Sequence, residues 1–108
     1  MYAYAVWDEF PCVEGHTLII PRSHTQSIFD LKQSWYHGVW TFVDTVRQVL
    51  MEKFPGVVDF NIGINDGYFA GQTIHHAHIH LFPRREGDMK DPRFGVRMMF
   101  GEKGPYKR

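Results

Sequence analysis

The stretch HHAHIHLF at residues 75–82 places His76, His78 and His80 at every second position. Side chains on a β-strand alternate between its two faces, so this spacing predicts three imidazole rings in one row, with apolar residues on the other face. Neighbouring members of such a row lie about 6.6 Å apart at Cα, and the outer pair about 13 Å apart. Three titratable rings in a row are unusual for a core, because burying unpaired histidines costs free energy.

Two kinds of chemistry can use such a row. A metal ion needs ligand nitrogens within about 2.1 Å of one point, and three histidines of one flat strand hardly converge that closely. An extended polyanion such as a phosphate chain fits the row better. A histidine with an ordinary pKa of about 6.5 is mostly neutral near pH 7, so a ring nitrogen is available to attack phosphorus while the neighbouring rings donate hydrogen bonds to the developing charge.

The elements that must position these rings follow from the apolar periodicity. Alternating or apolar runs predict strands at 2–7, 16–20, 60–65 and 73–82. Between the second and third strands, apolar residues at helical spacing predict one helix over about 35–50, ending before Pro55. Glycines between the last two strands predict an antiparallel hairpin. The fold class is therefore α+β, with a mostly antiparallel sheet and one main helix.

Length and composition limit the other possibilities. A chain of 108 residues predicts a single domain over 1–108, and 44% hydrophobic residues argue against disorder. No run approaches the roughly 20 apolar residues of a membrane span, and the start MYAYAVWDEF lacks the basic region of a signal peptide. The lone Cys12 fits a reducing compartment. We therefore expect a cytoplasmic protein with no membrane partner.

Charge is balanced overall but divided along the chain. The net charge is zero, which gives no reason to expect nucleic acid as a partner. Residues 1–82 carry 4 basic and 8 acidic residues, a net of −4, whereas residues 83–108 carry 8 basic and 4 acidic residues, a net of +4. The basic C-terminal tail at 83–108 is interpreted either as a solvated segment or as one that folds over an anionic ligand.

The segment His76–Phe82 resembles the signature of the histidine triad family, His-φ-His-φ-His-φ-φ, in which φ is hydrophobic. Three further segments resemble the short bacterial, diadenosine-polyphosphate-hydrolase-like members: GHTLIIPRSH at 15–24, NDGYFAGQT at 65–73 and PRREGDMKDPRFGVR at 83–97. The resemblance extends over nearly the whole chain. It implies an α+β fold with an antiparallel five-stranded-type sheet. Since the chain begins inside the first predicted strand, we expect the N-terminal segment that many relatives carry to be short or absent.

The resemblance also implies an activity and a set of catalytic residues. Members cleave at the α-phosphate of a dinucleoside polyphosphate or a nucleoside phosphoramidate through a covalent nucleotidyl-histidine, which water or another acceptor then resolves. Carried over to this chain, His78 is the nucleophile and His80 contacts the phosphate. His76 orients His78 largely through its backbone carbonyl, and His16 completes the histidine cluster.

Further residues match positions that bind substrate in the family. By the resemblance, Asp8 binds the ribose hydroxyls, Val6 and Leu18 line the base pocket, and the loop residues Asn65, Gln72 and Thr73 contact the phosphate or the leaving group. Arg93 and Arg97 are candidates for contacts with the polyphosphate or with a partner subunit. The remaining histidines match no catalytic position. His24 and His37 are interpreted as solvated or capping groups, and His75 as a residue on the opposite face of the strand that takes no part in catalysis.

Cofactor, partner and alternative functions complete the expectations. The resemblance implies a nucleotide substrate, a homodimer with the two sheets joined edge to edge, no metal site and no required cofactor, with Mg²⁺ left open as a counter-ion of the substrate. Two alternatives stay open. One is a nucleotide-binding or sensing module with little catalysis, and the other is a metal-dependent hydrolase that uses His76, His78 and a remote ligand.

Overall fold

Four strands form one antiparallel sheet and one long helix covers a face of it, in a computed structural model that describes residues 1–106. The elements are β1 (Ala3–Trp7), β2 (Thr17–Pro21), α1 (Gln33–Lys53), β3 (Val57–Gly63) and β4 (Ile79–Arg85). The strand order is β1-β2-β4-β3, and each neighbouring pair is antiparallel. The predicted α+β class with one main helix is confirmed. The implied five-stranded-type sheet is corrected to four strands, since no other described segment pairs with the outer edge of β1 or β3.

Helix α1 lies on the sheet through one apolar stripe. The stripe consists of Val39, Val43, Val46 and Leu50, whose spacings of four and three residues place them on one helical face. It belongs to the same core as the fully buried strand residues Ile19, Ile79 and Leu81. The helix ends at Lys53, as predicted from Pro55, because proline cannot continue the backbone hydrogen-bond pattern. Burial of each large apolar side chain contributes about 1.5–3 kcal/mol, which fixes the sheet on the helix.

The face of the sheet opposite the helix carries the side chain of His80. Leu18 pairs with Val6 on β1 and with His80 on β4, and His80 also pairs with Gly63 on β3. Directly opposed residues of antiparallel strands project from the same face. The register therefore sets His80 in one row with the apolar side chains of Leu18 and Val6, while Ile79 and Leu81 point into the core.

The predicted strand at 73–82 is wrong at both ends. Strand β4 begins at Ile79 and continues through Pro83, which pairs with Phe60, to Arg85. Strand β3 ends at Gly63, so the residues just before Ile79 have no strand partner there. The backbone N–H of Ala77 instead donates to the carbonyl of Thr25, in the connection that follows β2. His76 and His78 consequently precede the strand, and only His80 lies within it.

The predicted basic tail at 83–108 shares its first three residues with β4, and its last two lie outside the described residues. We call residues 86–106 the tail. It contains a 3₁₀ segment, Gly95–Lys103, interrupted at Gly101. Arg84 fixes the start of the tail by donating to both carboxylate oxygens of Asp88 at 2.8 Å. Over residues 1–106, no helix combines the length and hydropathy required to cross a membrane.

Candidate active site

His78 lies directly before β4, with its ring fixed by the backbone. Its Nδ1 lies 2.9 Å from the carbonyl oxygen of His76. A carbonyl can only accept a hydrogen bond, so Nδ1 carries the proton and, in the neutral ring, Nε2 carries the free lone pair. The ring is largely buried and its centroid lies 5.1 Å from that of His80. The contact with the His76 carbonyl is the geometry that the resemblance implied, and it prepares Nε2 of His78 to attack an electrophile.

His80 is set in the opposite tautomer by a chain of hydrogen bonds through His16. The backbone N–H of Cys12 donates to Nδ1 of His16 at 3.2 Å, so Nε2 of the neutral His16 ring carries the proton. This Nε2 lies 3.0 Å from Nδ1 of His80 and donates to it. Nδ1 of His80 is therefore the acceptor, and its Nε2–H is left as a hydrogen-bond donor.

Burial keeps this pair of rings neutral near pH 7. The pKa of His80 is lowered to about 4, first by burial and then by the neighbouring rings of His78 and His16, while Asp8 acts in the opposite direction. Burial likewise lowers the pKa of His16, again partly offset by Asp8. The tautomer chain described above requires both rings to be neutral, and the lowered pKa of each ring favours that state near pH 7.

Asp8 follows β1 and faces the two neutral rings. One carboxylate oxygen accepts from the backbone N–H of Phe10 at 2.8 Å, which is the turn-forming contact expected of an aspartate at a strand end. The other lies 3.4 Å from Nε2 of His16 and 3.9 Å from Nδ1 of His80. The structure thus brings Asp8 together with two of the predicted catalytic histidines.

The three predicted loop residues, Asn65, Gln72 and Thr73, have different surroundings in the structure. Asn65 lines the cavity that His80 also lines, whereas Thr73 is exposed. Gln72 is buried: its Oε1 accepts from Gly67 N, and its Nε2 donates to the carbonyls of Gln26 and Ile74. Both N–H groups of this amide are engaged inside the protein, and the contact of Gln72 with the phosphate or the leaving group stays a prediction. Gln72 holds the loop to the connection after β2.

His24 is a residue near the site that sequence reasoning missed. Its ring stands edge-on to that of His76, with centroids 4.7 Å apart. Nε2 of His76 in turn lies 2.9 Å from the carbonyl of Pro21 and donates to it. His16 and His24 lie on either side of β2, eight residues apart, and β2 runs beside the histidine segment. This spacing was the signal available in the sequence. His24 and His37 are exposed, as predicted, and His75 is exposed as well.

Within residues 1–106, Asp8, His16 and His80 form a group whose potential metal-ligand atoms all lie within 4.8 Å of one another. The three separations of 3.0, 3.4 and 3.9 Å scatter around the roughly 3.3 Å between ligands of a tetrahedral zinc ion. The protonation pattern does not fit, however. A metal on Nε2 of His16 would place the ring proton on Nδ1, directly opposite the N–H of Cys12, so two donors would face each other. The donor set therefore suits a hydrogen-bond chain better than a metal ion.

The arginines of the tail are engaged within the tail. Arg93 forms an exposed ion pair with Asp91 at 2.9 Å. Arg97 donates from Nε to the carbonyl of Gly104 at 2.8 Å, and its guanidinium lies 4.4 Å from the ring centroid of Tyr106. Neither contact reaches the histidine cluster, so these two arginines shape the tail in this structure.

Comparison with known proteins agrees with the observed fold. The model of the HIT domain matches residues 1–87. A bis(5'-nucleosyl)-tetraphosphatase (asymmetrical) of Schizosaccharomyces pombe is 38% identical over 81 residues, which cover 75% of this chain and 44% of that protein. A bis(5'-adenosyl)-triphosphatase of Dictyostelium discoideum is 30% identical and covers 82% of this chain and 59% of that protein. The crystal structure of a HIT family protein from Bacillus anthracis superimposes with a TM-score of 0.72 at 36% identity, over 78% of this chain and 59% of that one.

The antiparallel sheet brings two histidine rings, those of His16 and His80, beside the carboxylate of Asp8. The chain belongs to the HIT family. It spans about half the length of the two relatives described above.

Proposed function

We propose that the protein is a nucleotide hydrolase or nucleotidyl transferase that cleaves at the α-phosphate of a dinucleoside polyphosphate or a nucleoside phosphoramidate. The observation that carries this proposal is the pair of opposite tautomers at His78 and His80. The ring of His78 offers a lone pair at Nε2, which can attack phosphorus. The ring of His80 offers an N–H at Nε2, which can stabilise the oxygens on phosphorus. The names of the two relatives support the same substrate class.

The proposed reaction has two displacements. Nε2 of His78 forms a bond to the α-phosphorus as the bond from phosphorus to the leaving group breaks, and the leaving group takes the electron pair. The ring keeps its Nδ1 proton, hydrogen-bonded to the carbonyl of His76, so its positive charge is offset by the phosphate and by this carbonyl. Water, or another acceptor, then attacks phosphorus and releases a proton to solvent, the P–N bond breaks, and the lone pair returns to Nε2.

The proposed binding site for the substrate lies on the face of the sheet that carries His80. Asp8 is proposed to accept hydrogen bonds from the ribose hydroxyls, since a carboxylate can accept two of them and its position beside His80 adjoins the phosphate site. Val6 and Leu18, which share a row with His80, would form the apolar surface under the base. Asn65 and Thr73 would contact the leaving group from the loop, which Gln72 holds in place.

No resident metal or other cofactor is part of the proposal, and Mg²⁺ would enter only as a counter-ion of a polyphosphate substrate. The N–H of Cys12 opposite His16 supports this, because it favours a hydrogen-bonded ring over a metal ligand. The unpaired, exposed Cys12 also supports a cytoplasmic location, where thiols remain reduced.

A homodimer is the proposed assembly. β3 is an edge strand of the sheet, and its side chains Val58 and Ile62 are exposed. An edge strand with exposed apolar groups favours pairing with another strand, and a second copy of this chain offers the same edge. Sedimentation of the wild type and of the Val58→Lys variant tests this. The wild type should sediment as a dimer and the variant as a monomer, whereas a monomeric wild type would contradict the proposal.

A substrate panel tests the proposed activity. The wild type should hydrolyse diadenosine tetraphosphate or adenosine 5'-phosphoramidate in the presence of a chelator, and His78→Ala should lose this activity while still binding the nucleotide. Binding without turnover in the wild type would favour the binding-module alternative. Activity that disappears with chelator and returns with zinc would favour the metal-dependent alternative.

A further inference from the structure

A cavity of about 900 Å³ adjoins the histidine cluster on the face of the sheet away from the helix. Asp8, His16 and His80 line one end of it, and Arg84 and the tail line the other. The volume lies in the range of small-molecule sites. Of the three residues proposed to bind the transferred nucleoside, Asp8 lines the end of this cavity next to the histidines, whereas Val6 and Leu18 do not line it. The rest of the cavity is therefore a second surface beside the reacting phosphate.

The walls of the cavity are mostly apolar and come from several separate parts of the chain, among them β3 and the loop after it. They include Phe10 from the loop after β1, Phe82 from β4, and Met89, Val96 and Met99 from the tail. The ring of Phe82 is parallel to that of His80 within 5°, with centroids 5.4 Å apart. Flat aromatic and thioether surfaces of this kind stack on the π-face of a nucleic-acid base.

The end of the cavity near Arg84 is polar, and its charged groups, Arg84 and Asp88, are paired with each other. Arg84 donates to Asn61 Oδ1 at 2.6 Å, and its guanidinium is paired with both oxygens of Asp88. The paired guanidinium offers little to a phosphate chain, whereas the amide of Asn61 can hydrogen-bond to a neutral heterocycle. The tail is seated closely here, since a Cβ on Gly95 would lie 3.1 Å from Nδ2 of Asn61. The chemistry at this end therefore fits a neutral base better than a polyphosphate.

We propose that this cavity binds the second nucleoside of a dinucleoside polyphosphate, the one in the half that leaves when His78 attacks. The inference rests on the proposed function, which already assigns Asp8, Val6 and Leu18 to the nucleoside of the transferred half. From His80 the cavity follows β4 to Arg84, four residues or about 13 Å further along, which leaves room for a base and its ribose. The tail thus contributes to substrate selection through apolar contact with a base.

The test compares two substrates, of which only one has a second nucleoside. Val96→Trp fills the cavity from an exposed position, and Phe100→Trp makes a similar change in the same segment at a residue that does not line the cavity. Stacking of a base on aromatic groups is typically worth about fivefold to over a hundredfold in affinity. Val96→Trp should therefore lower kcat/KM for diadenosine tetraphosphate, relative to that for adenosine 5'-phosphoramidate, by at least about fivefold, with a raised KM. Phe100→Trp should leave this ratio within about twofold of the wild type.

Three outcomes would overturn the inference: an unchanged ratio in Val96→Trp, an equal loss on both substrates, or a changed oligomeric state, which would assign the cavity to a second copy. Calorimetric binding of diadenosine tetraphosphate separates this failure from failure of the proposed function. A wild type that binds the dinucleotide without turnover, together with a loss of at least about fivefold in affinity in Val96→Trp, would retain the subsite while refuting the hydrolase. Turnover by the wild type with no selective effect of Val96→Trp would retain the hydrolase and refute the subsite.

Discussion

Mild acid should destabilise this protein through His80. Its pKa is 6.5 in an unfolded chain and about 4 in the fold, so the unfolded state binds the extra proton first as the pH falls. Stability from this group is thus fully present above about pH 6.5 and is lost progressively down to about pH 4. Between pH 7.5 and pH 4.5 the linkage relation gives a loss of about 2.5 kcal/mol. His16, whose pKa is lowered in the same direction, adds to this loss.

Urea denaturation at closely spaced pH values measures this loss, with His80→Gln as the matched variant. The free energy of unfolding of the wild type should fall by about 2.5 kcal/mol or more from pH 7.5 to 4.5, and the fall should be smaller by about that amount in the variant. The carboxylates with lowered pKa values, Asp44, Asp88 and Asp91, act below about pH 4 and leave this window to the histidines. Equal pH dependence in the wild type and in His80→Gln would refute the assignment of His80 as a buried, neutral ring.

The other predictions concern single contacts of the site. His16→Leu leaves Nδ1 of His80 without its hydrogen-bond donor and should lower kcat about 10- to 100-fold. His16→Gln can donate from its side-chain Nε2 and should recover part of this loss. Equal kcat values for the two variants would contradict the tautomer chain. Gln72→Leu breaks three hydrogen bonds of the loop and should lower the free energy of unfolding by about 2–4 kcal/mol in urea denaturation, and an unchanged value would show that the loop does not depend on them. Arg84→Met releases Asp88 and should increase hydrogen exchange at residues 86–100, whereas exchange equal to the wild type would mean that this ion pair does not hold the tail.

Local patterns predicted the framework of this protein well. Apolar residues at helical spacing predicted α1, Pro55 predicted its end, and the glycine-rich connection predicted the pairing of β3 with β4. The histidine spacing indicated phosphate chemistry because residue type and strand periodicity both appear in the sequence. These features depend on interactions within a few residues, which is why a single sequence contains them.

Long-range contacts explain what the sequence did not predict. His76 and His78 precede β4 because β3 ends at Gly63, and the length of a partner strand is not visible in the histidine segment itself. The engagement of Gln72 depends on the carbonyl of Gln26, 46 residues away. The tautomer of His16 depends on a backbone N–H, at Cys12, which every residue but proline has and which therefore leaves no pattern in the sequence.

Other features depend on the path of the chain beyond the strands. The sequence indicated a basic tail. In the structure, apolar side chains of the tail, together with Arg84, which holds the start of the tail, line a cavity. Alternation along β4 indicates that Phe82 shares a face with His80, but it does not indicate that Val96 and Met99 lie across from them. Such placements require the fold of the tail, which has no regular periodicity.

A trapped covalent adduct tests the central claim most directly. The wild type is mixed with adenosine 5'-phosphoramidate, quenched at alkaline pH within a single turnover, and digested for mass spectrometry. An adenylyl group on His78, absent from His78→Ala and resolved with time into adenosine monophosphate, is the predicted result. Turnover with no adduct on His78 at any quench time, or an adduct located on His76 or His80, would contradict the assignment of His78 as the nucleophile.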